Sequence, residues 1–328
     1  MNTNPPQAPS SSEAVQTAQA ACVVCGHART ARADSQPEDF EYAVIPGPES
    51  HIRHCPACGS RFLHPRPDLT TLSSYYPLDY HAYNEDNGLI ADVLVGMRSK
   101  ARARDYMRHM ATPTIRLFDV GTGDCRQFDA LRPLGDFRFG GVELKPEMVQ
   151  AARAKGYDVH EGSLEGLNIS GMEGQFDIVT MYQLVEHVLR PDILLQKAIA
   201  LLRPGGMVVG QLPSMDSLER RIFGRYWAGY HFPRHLQMFT RRGLAHNLTH
   251  AGFTNVVVTS SLHLQAALSL QNLIVANLPS RPRLRFGKIA AYSFLLLAAA
   301  PFCLLEHALG MGGMMHFRAV KPLREERT

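Results

Sequence analysis

Cysteine and tryptophan are scarce in this chain, with six and one among 328 residues. Six cysteines are too few to staple a secreted disulfide scaffold of this size. A strong charge of one sign is also missing. Lys and Arg total 34 against 30 Asp and Glu, a formal excess of +4. That mild excess gives no reason to expect nucleic acid as a partner. Charged residues make up 20% and hydrophobic residues 45%, which excludes a wholly disordered, collagen-like or coiled-coil chain. Residues 1–21 are rich in Pro, Ser, Gln and Ala. They lack the basic start and apolar stretch of a targeting signal and read as a disordered tail. One later run, 289–305 (IAAYSFLLLAAAPFCLL), carries no charge. It stands at the lower edge of the length a membrane span needs.

Three regions follow the tail. Residues 22–64 carry two CxxC pairs, 65–112 form a helical connector or cap, and 113–328 hold the main domain, with an apolar helical insertion at 263–312. Within that domain the pattern alternates. Short apolar, β-branched runs at 115–120, 139–144, 157–160, 176–181, 207–212 and 255–259 predict strands. Helices between them are marked by Pro146 and Pro191 at first positions, by Thr240 as an N-cap, and by glycine stops at Gly156, Gly205 and Gly252. Residues 314–320 (MMHFRAV) predict a last strand. The fold class is α/β, a Rossmann-like sheet with helices on both faces and a small N-terminal zinc-ribbon-like module.

The most informative stretch is Phe118-Asp119-Val120-Gly121-Thr122-Gly123-Asp124. A glycine pair after a strand lets backbone approach a ligand closely. Glu143 closes the next strand, where a carboxylate can accept ribose hydroxyls. Read alone, the same residues also describe a turn and a solvated glutamate. A dinucleotide fold wants a third glycine three positions after the second, and Arg126 stands there. Asp119 also sits poorly beside a pyrophosphate. It suits a ligand with a cationic end, such as the amino-acid part of S-adenosylmethionine.

The run DVGTGD, then GVEL, then FDIVTMYQLVEHV, then LLRPGGMVV resembles the class I S-adenosylmethionine-dependent methyltransferases, in the branch that includes ubiquinone-pathway O-methyltransferases. HFPRHLQMFT followed by LTHAGF is also typical. The resemblance spans about 115–262 and implies a seven-stranded methyltransferase sheet. It implies that Asp119, Gly121 and Gly123 hold the methionine part, that Glu143 binds ribose, and that Leu144 lies against adenine. Ser163 and Leu164 would lie at the adenine edge, and Tyr182 and Gln183 beside the sulfonium. Two positions depart from the family pattern: Cys125 stands where a third glycine is common, and Ser163 where Asp is common.

Cys22-Val23-Val24-Cys25 and Cys55-Pro56-Ala57-Cys58 are each followed by glycine. Four thiolates on two such knuckles can make a closed, structural Zn²⁺ site. Unrelated free cysteines and a redox pair are the other readings. A CG-tipped module followed by Pro65-Arg66-Pro67 and Tyr75, Tyr76 and Tyr80 resembles a bacterial subgroup that accompanies glycan assembly.

Methyl transfer to oxygen gains from a nearby general base, and histidine is the default near neutral pH. His187 follows the fourth strand, and His231 and His235 follow the fifth, all at the carboxyl edge where open α/β sheets bind ligands. Each also has a structural reading as a cap or loop hydrogen-bonder. A metal on His231 and His235 is disfavoured, because no acidic third ligand lies at helical spacing. In the connector, Ile90, Val93, Met97 and Ala101 predict the apolar face, with Arg98, Lys100, Arg102, Arg104 and Arg108 around the others. Arg281, Arg283, Arg285 and Lys288 precede the apolar run. Segment 281–305 is therefore packed in the fold, a homodimer contact, a peripheral contact with an anionic membrane, or a true span, the last disfavoured by Pro301 and by the returning strand at 314–320.

The expected function is methyl transfer from S-adenosylmethionine to a small-molecule or glycan acceptor, first a sugar hydroxyl in a glycan or its precursor. The alternatives are a quinone or lipophilic phenol, and a catalytically idle scaffold in a glycan-assembly complex. The expected setting is cytoplasmic, extending to the inner face of the membrane.

Overall fold

The computed structural model describes residues 20–34, 36–76, 89–110, 112–280, 282, 284 and 287–323, with side chains of 89–95 left aside. Most of the expected tail, Tyr80, and Arg281, Arg283 and Arg285 lie outside the described residues, as do the side chains of Ile90 and Val93.

The main sheet has seven strands. They are β4 (Ile115–Val120), β5 (Phe137–Glu143), β6 (Asp158–Glu161), β7 (Phe176–Tyr182), β8 (Leu202–Pro213), β10 (Thr254–Ser261) and β11 (Met314–Val320). Their order across the sheet is β10-β11-β8-β7-β4-β5-β6. β4 to β8 run parallel. Phe176, Asp177, Ile178, Val179, Thr180 and Met181 of β7 are all buried, as a strand covered on both faces requires. β11 departs from the expected parallel arrangement. It inserts between β10 and β8 antiparallel to both, so the sheet is mixed. β10 is left as an edge strand, with several side chains still reaching solvent.

Helices cover both faces. α4 (Pro146–Ala154) and α5 (Pro191–Leu201) open on the proline at their first position, where the missing N–H costs nothing. α7 (Arg241–His250) opens on Thr240, whose hydroxyl accepts from the Gly243 N–H at 3.0 Å. α3 (Arg126–Leu131) follows the glycine loop. A short α6 (Leu218–Phe223) follows β8, and α8 (Ala266–Ala276) and α9 (Tyr292–Ala308) fill the insertion between β10 and β11.

The connector carries α1 (Leu69–Ser74) and α2 (Leu89–Met110). Its apolar face is not the expected one. Met97 is 64% exposed, and Ala101 is exposed too. The inward positions are Ser99, Ala103, Tyr106 and Met110. Ala103, Tyr106 and Met110 join the core cluster of Ile115, Leu117 and Leu131, and the Tyr106 hydroxyl lies 2.8 Å from that of Tyr182 on β7.

The N-terminal module is a second, antiparallel sheet in the order β1 (Ala31–Arg32), β2 (His51–His54), β3 (Arg61–His64), β9 (Gln237–Met238). Its last strand comes from the loop after β8, so the module's sheet is completed by the main domain. Cys22, Val24, Cys55, Cys58 and Phe62 share one buried cluster with Phe239, Leu244 and Leu248 of the main domain.

Candidate active site and metal centre

The order in which strands are added reverses between β4 and β7, since β5 and β6 are added on one side and β8 on the other. That switch point is where open α/β sheets leave a crevice for ligands. Asp119 lies in register with Gly141 on β5 and Thr180 on β7. It is buried, and its carboxylate accepts from the Thr180 hydroxyl at 2.5 Å. Burial pushes the carboxyl up to about 7, while the Thr180 bond and the Arg102 guanidinium hold it down. An acid in that position lacks a full countercharge, so a cationic ligand group there would favour its ionised form.

The loop after β4 turns at Gly121, whose φ of +80 suits glycine and whose Cβ would stand 3.2 Å from Leu184 Cδ1. The Gly121 N–H is anchored on the Val142 carbonyl at 2.8 Å. Glu143 accepts the Gly123 N–H on one oxygen at 2.9 Å and the Lys145 N–H on the other at 3.0 Å. Each oxygen keeps a further acceptor direction, which is what two ribose hydroxyls require. Cys125, at the position of the missing third glycine, holds the left-handed conformation a glycine would favour, with φ of +63. The departure is therefore chemical and leaves the backbone path unchanged.

Leu144 is 68% exposed beside this loop. The Ser163 hydroxyl accepts from the Gly166 N–H at 3.2 Å. Leu164 is fully buried in the core, so only its backbone can face a ligand. Gln183 has a φ of +53, and its N–H is tied to the Gln211 carbonyl at 2.8 Å. Three contributors were missed in the sequence. Arg102 of α2 stacks its guanidinium 3.6 Å from the Tyr182 ring centroid and donates to Gln127 at 3.2 Å. It is a cation at the mouth of the glycine loop, suited to a carboxylate. Tyr106 supports Tyr182. Gly141 lies beneath the loop, where a Cβ would stand 2.8 Å from the Asp119 carbonyl and 2.3 Å from the Thr122 methyl.

The same edge gathers the histidines. The rings of His187 and His235 have centroids 4.5 Å apart, with His231 at 5.0 Å from His235 and 6.3 Å from His187. His187 Nδ1 lies 3.2 Å from the Arg234 carbonyl and 3.0 Å from the Tyr76 hydroxyl. A carbonyl only accepts, so that bond places the proton on Nδ1 and the lone pair on Nε2. His235 Nδ1 donates likewise to the Gly229 carbonyl at 2.8 Å. His231 Nε2 stands 4.0 Å from Glu41 of the N-terminal module. Between these rings lies Glu186, 1% exposed, with no hydrogen-bond partner for either carboxyl oxygen among the described residues. Burial pushes it up to about 8. Glu186, His187 and His235 offer ligand atoms within 4.8 Å of one another. The acidic neighbour that helical spacing around His231 does not supply therefore comes from the loop after β7, and it joins His235 and His187 in place of His231.

The N-terminal module builds part of this wall. Asp39 accepts the N–H groups of Glu41, Tyr42 and Val44, each at 3.0 Å. It also takes a two-pronged ion pair from Arg234, both contacts at 2.9 Å. Arg66 of the Pro-Arg-Pro motif donates to the carbonyls of Leu189 at 2.6 Å, Val188 at 3.0 Å and Leu236 at 3.0 Å. It thereby clamps the loops after β7 and β8 together.

The four module cysteines converge. Cys22 and Cys58 sulfurs are 3.8 Å apart and Cys25 and Cys55 sulfurs 3.6 Å apart. All four lie within 4.8 Å of one another. A tetrahedral Zn²⁺ with Zn–S near 2.3 Å has ligand separations of about 3.8 Å, so the donor set fits that ion. The two knuckles are built alike. The N–H of Gly26 closes on the Cys22 carbonyl and that of Gly59 on the Cys55 carbonyl, both at 2.8 Å, with φ of +72 and +76. The Cys22 thiol helps hold Cys58 down to about 4, whereas burial pushes Cys25 up to about 11. Bare thiols so crowded cannot all ionise together, and a divalent cation would allow them to. Thr240 joins the module to α7 by donating to the Cys58 carbonyl at 2.5 Å.

A family described as a methyltransferase domain matches residues 96–258, the segment that supplies α2, the glycine loop, Glu143 and the histidine-bearing loops. The chain has the class I S-adenosylmethionine-dependent methyltransferase fold. Among curated proteins it resembles the ubiquinone biosynthesis O-methyltransferase of Xanthomonas campestris pv. campestris (strain B100), 33% identical over 109 residues, or 31% of this chain and 45% of the relative. The same-named protein of Xanthomonas oryzae pv. oryzae (strain PXO99A) is 33% identical over 97 residues, 28% of this chain and 40% of the relative. The chain thus aligns with less than half the length of these curated relatives. Among solved structures, a methyltransferase from Archaeoglobus fulgidus is 18% identical with a TM-score of 0.45, covering 69% of this chain and 94% of that one. Haemonchus contortus phosphoethanolamine N-methyltransferase 2 in complex with S-adenosyl-L-methionine is 15% identical with a TM-score of 0.47, covering 68% and 52%.

Proposed function

We propose that the protein transfers a methyl group from S-adenosylmethionine to a hydroxyl of a small acceptor, and that a phenol or quinol-type ring is favoured over a sugar. The observation that carries the reading is the juxtaposition, on one sheet edge, of the Asp119–Gly121–Glu143 cradle with the His187, His231 and His235 group. Bound in that cradle, S-adenosylmethionine supplies a methyl already activated on a sulfonium. The chain's own task is then alignment, exclusion of water and removal of the acceptor proton.

Asp119 and Arg102 would fix the amino-acid end of the cofactor and Glu143 the ribose. His187 is assigned as the general base. Of the two histidines with Nδ1 on a carbonyl, it is the one that is not buried, and the tautomer its Nδ1 bond requires leaves Nε2 able to take a proton. Burial of His235 and its bond to Gly229 suit a positioning role. Tyr76, Trp227, Tyr230 and Phe232 share an apolar cluster and would form the acceptor side. Flat aromatic walls suit a ring acceptor, and the curated relatives are named as O-methyltransferases of ubiquinone biosynthesis. Nothing in these residues singles out a sugar.

The test is formation of S-adenosylhomocysteine with a panel of catechols and quinols set against nucleotide-linked and lipid-linked sugars. Turnover with the phenolic set, lost in His187→Ala, is expected. Turnover with sugars alone would overturn the acceptor class. Cofactor binding without turnover on any extract fraction would support the scaffold reading instead.

A further inference from the structure

Helix α9 is built inside out. Its one acidic residue, Glu306, is 1% exposed and accepts the Gly313 N–H at 2.9 Å and the Glu219 N–H at 3.3 Å. Its outward side is apolar. Phe294 and Leu297 are each 74% exposed, and Leu304 and Leu305 are 56% and 55% exposed. Ala298, Pro301 and Ala308 lie on the same exposed side. The opposite side packs Ala299 and Cys303 onto Ala266 and Ala267 of α8, so this contact already serves the fold. A water-facing helix normally shows the reverse pattern. A contiguous exposed apolar patch of this kind marks an interaction surface.

Charge indicates what covers it. Arg281, Arg283, Arg285 and Lys288 fall just ahead of the helix, with no acidic residue between 281 and 305. Of the four, Lys288 is among the described residues. Its ammonium stands 5.4 Å from the ring centroid of Tyr292, the first residue of α9. An apolar face beside a basic cluster is complementary to the headgroup and acyl boundary of an anionic leaflet. A span is ruled out by geometry. Seventeen residues of helix reach about 25 Å, short of the roughly 30 Å of a hydrocarbon core. The chain also enters from β10 and leaves into β11, adjacent strands of one sheet, so both ends lie on the same side.

We propose that α9 docks the protein in the plane of an anionic membrane, with Phe294, Leu297, Leu304 and Leu305 at acyl depth and Lys288 at the headgroups. The contact is peripheral. It is separate from the cofactor cradle and does not depend on which acceptor is methylated.

The experiment is flotation of the full-length protein with phosphatidylcholine vesicles, with and without phosphatidylglycerol. Binding is expected with the anionic vesicles only, reduced at about 0.5 M salt, where screening shortens to a few ångströms. Replacing Arg281, Arg283, Arg285 and Lys288 by Gln should lower partitioning by about fivefold per residue. Leu297→Asp should lower it by tenfold or more, since a buried leucine is lost. Thermal unfolding and cofactor affinity of Leu297→Asp should match the parent, because the Leu297 side chain is 74% exposed. Equal binding to neutral vesicles would overturn the anionic assignment. A protein that stays with the aqueous phase at low salt would overturn the proposal. So would a dimer in analytical ultracentrifugation that Leu297→Asp splits while vesicles are ignored, since the face would then belong to a second copy.

Discussion

Asp119 offers the sharpest test of the cradle, because its burial predicts a pH dependence that an ordinary aspartate would not show. Burial, with Glu143 nearby, raises its carboxyl from 3.8 to about 7 against the opposing effects of Thr180 and Arg102. If the ionised form pairs with the cofactor's ammonium group, affinity should follow the ionised fraction. That fraction is about one half at pH 7 and about 3% at pH 5.5 for a group titrating near 7. The affinity should therefore fall roughly fifteenfold over that interval, about 1.6 kcal/mol. The acid limb is the informative one, since an α-amino group itself titrates near 8. The direction follows from linkage: binding favours the deprotonated acid, so protons are released, roughly 0.9 per site at pH 6. Titration calorimetry in two buffers of different ionisation enthalpy measures both quantities. Asp119→Asn should abolish the slope and weaken binding at pH 7 by about 1.5–3 kcal/mol, as loss of a charge-assisted hydrogen bond does. A flat affinity between pH 5.5 and 7, with no proton release, would refute the pairing.

Other outcomes follow from particular contacts. Gly141→Ala should cost about 1–3 kcal/mol in urea unfolding, since the added Cβ lands 2.8 Å from the Asp119 carbonyl; an unchanged midpoint and unchanged cofactor affinity would contradict the cradle geometry. Arg234→Ala leaves the buried Asp39 without its countercharge and should cost about 3–5 kcal/mol; the paired change Arg234→Met with Asp39→Leu should recover little of it, because the N–H groups of Glu41, Tyr42 and Val44 lose their acceptor. Metal analysis should find one zinc per chain, and stripping it should alter the emission of Trp227, because β9 downstream of Trp227 pairs with β3 of the module; complete zinc loss with unaltered emission would count against that coupling. Glu186 is raised by burial from 4.5 to about 8, so its contribution to stability is full below about 4.5 and is lost as pH rises through about 8. Glu186→Gln should therefore flatten the fall in unfolding free energy between about pH 4.5 and 8.

Strands and cofactor loop were legible because their signals are local. Ile115–Val120 and Phe176–Tyr182 are apolar runs closed by turn residues, and a glycine pair after such a strand has few other uses. The convergence of the cysteines was legible for the same reason: two matched CxxCG knuckles imply one ion. What escaped was made by contacts across long sequence separations. Arg102 was grouped with solvated helix charges, because a stack on Tyr182 leaves no trace in periodicity. Arg66 was read only as part of the Pro65-Arg66-Pro67 motif, yet its guanidinium reaches carbonyls more than a hundred positions away. Glu186 beside His187 resembled a helix cap, and its burial depends on the later loop that carries His235. The face of α2 was misjudged because the stripe that packs inward, Ala103, Tyr106 and Met110, is offset from the one that Met97 and Ala101 mark.

The way these distant contacts are distributed has a mechanistic consequence. The candidate cofactor half of the site is made by β4, β5, β7 and the helix α2, and among the described residues the hydrogen bonds of Arg102, Tyr106, Asp119 and Glu143 stay within those elements and the segments that follow them. The acceptor half is different. Tyr76 touches His187, Glu41 stands beside His231, and Asp39 fixes Arg234, whose carbonyl orients the His187 ring. The metal module therefore reaches the chemistry through residues that position the candidate base. A site of four thiolates has no open coordination position, so the ion itself would contribute rigidity alone. Side chains held within a fraction of an ångström are what proton removal in line with methyl transfer demands. On this arrangement, changes in the 36–44 and 65–76 segments should alter acceptor turnover while leaving cofactor affinity intact. Changes in the glycine loop should do the opposite.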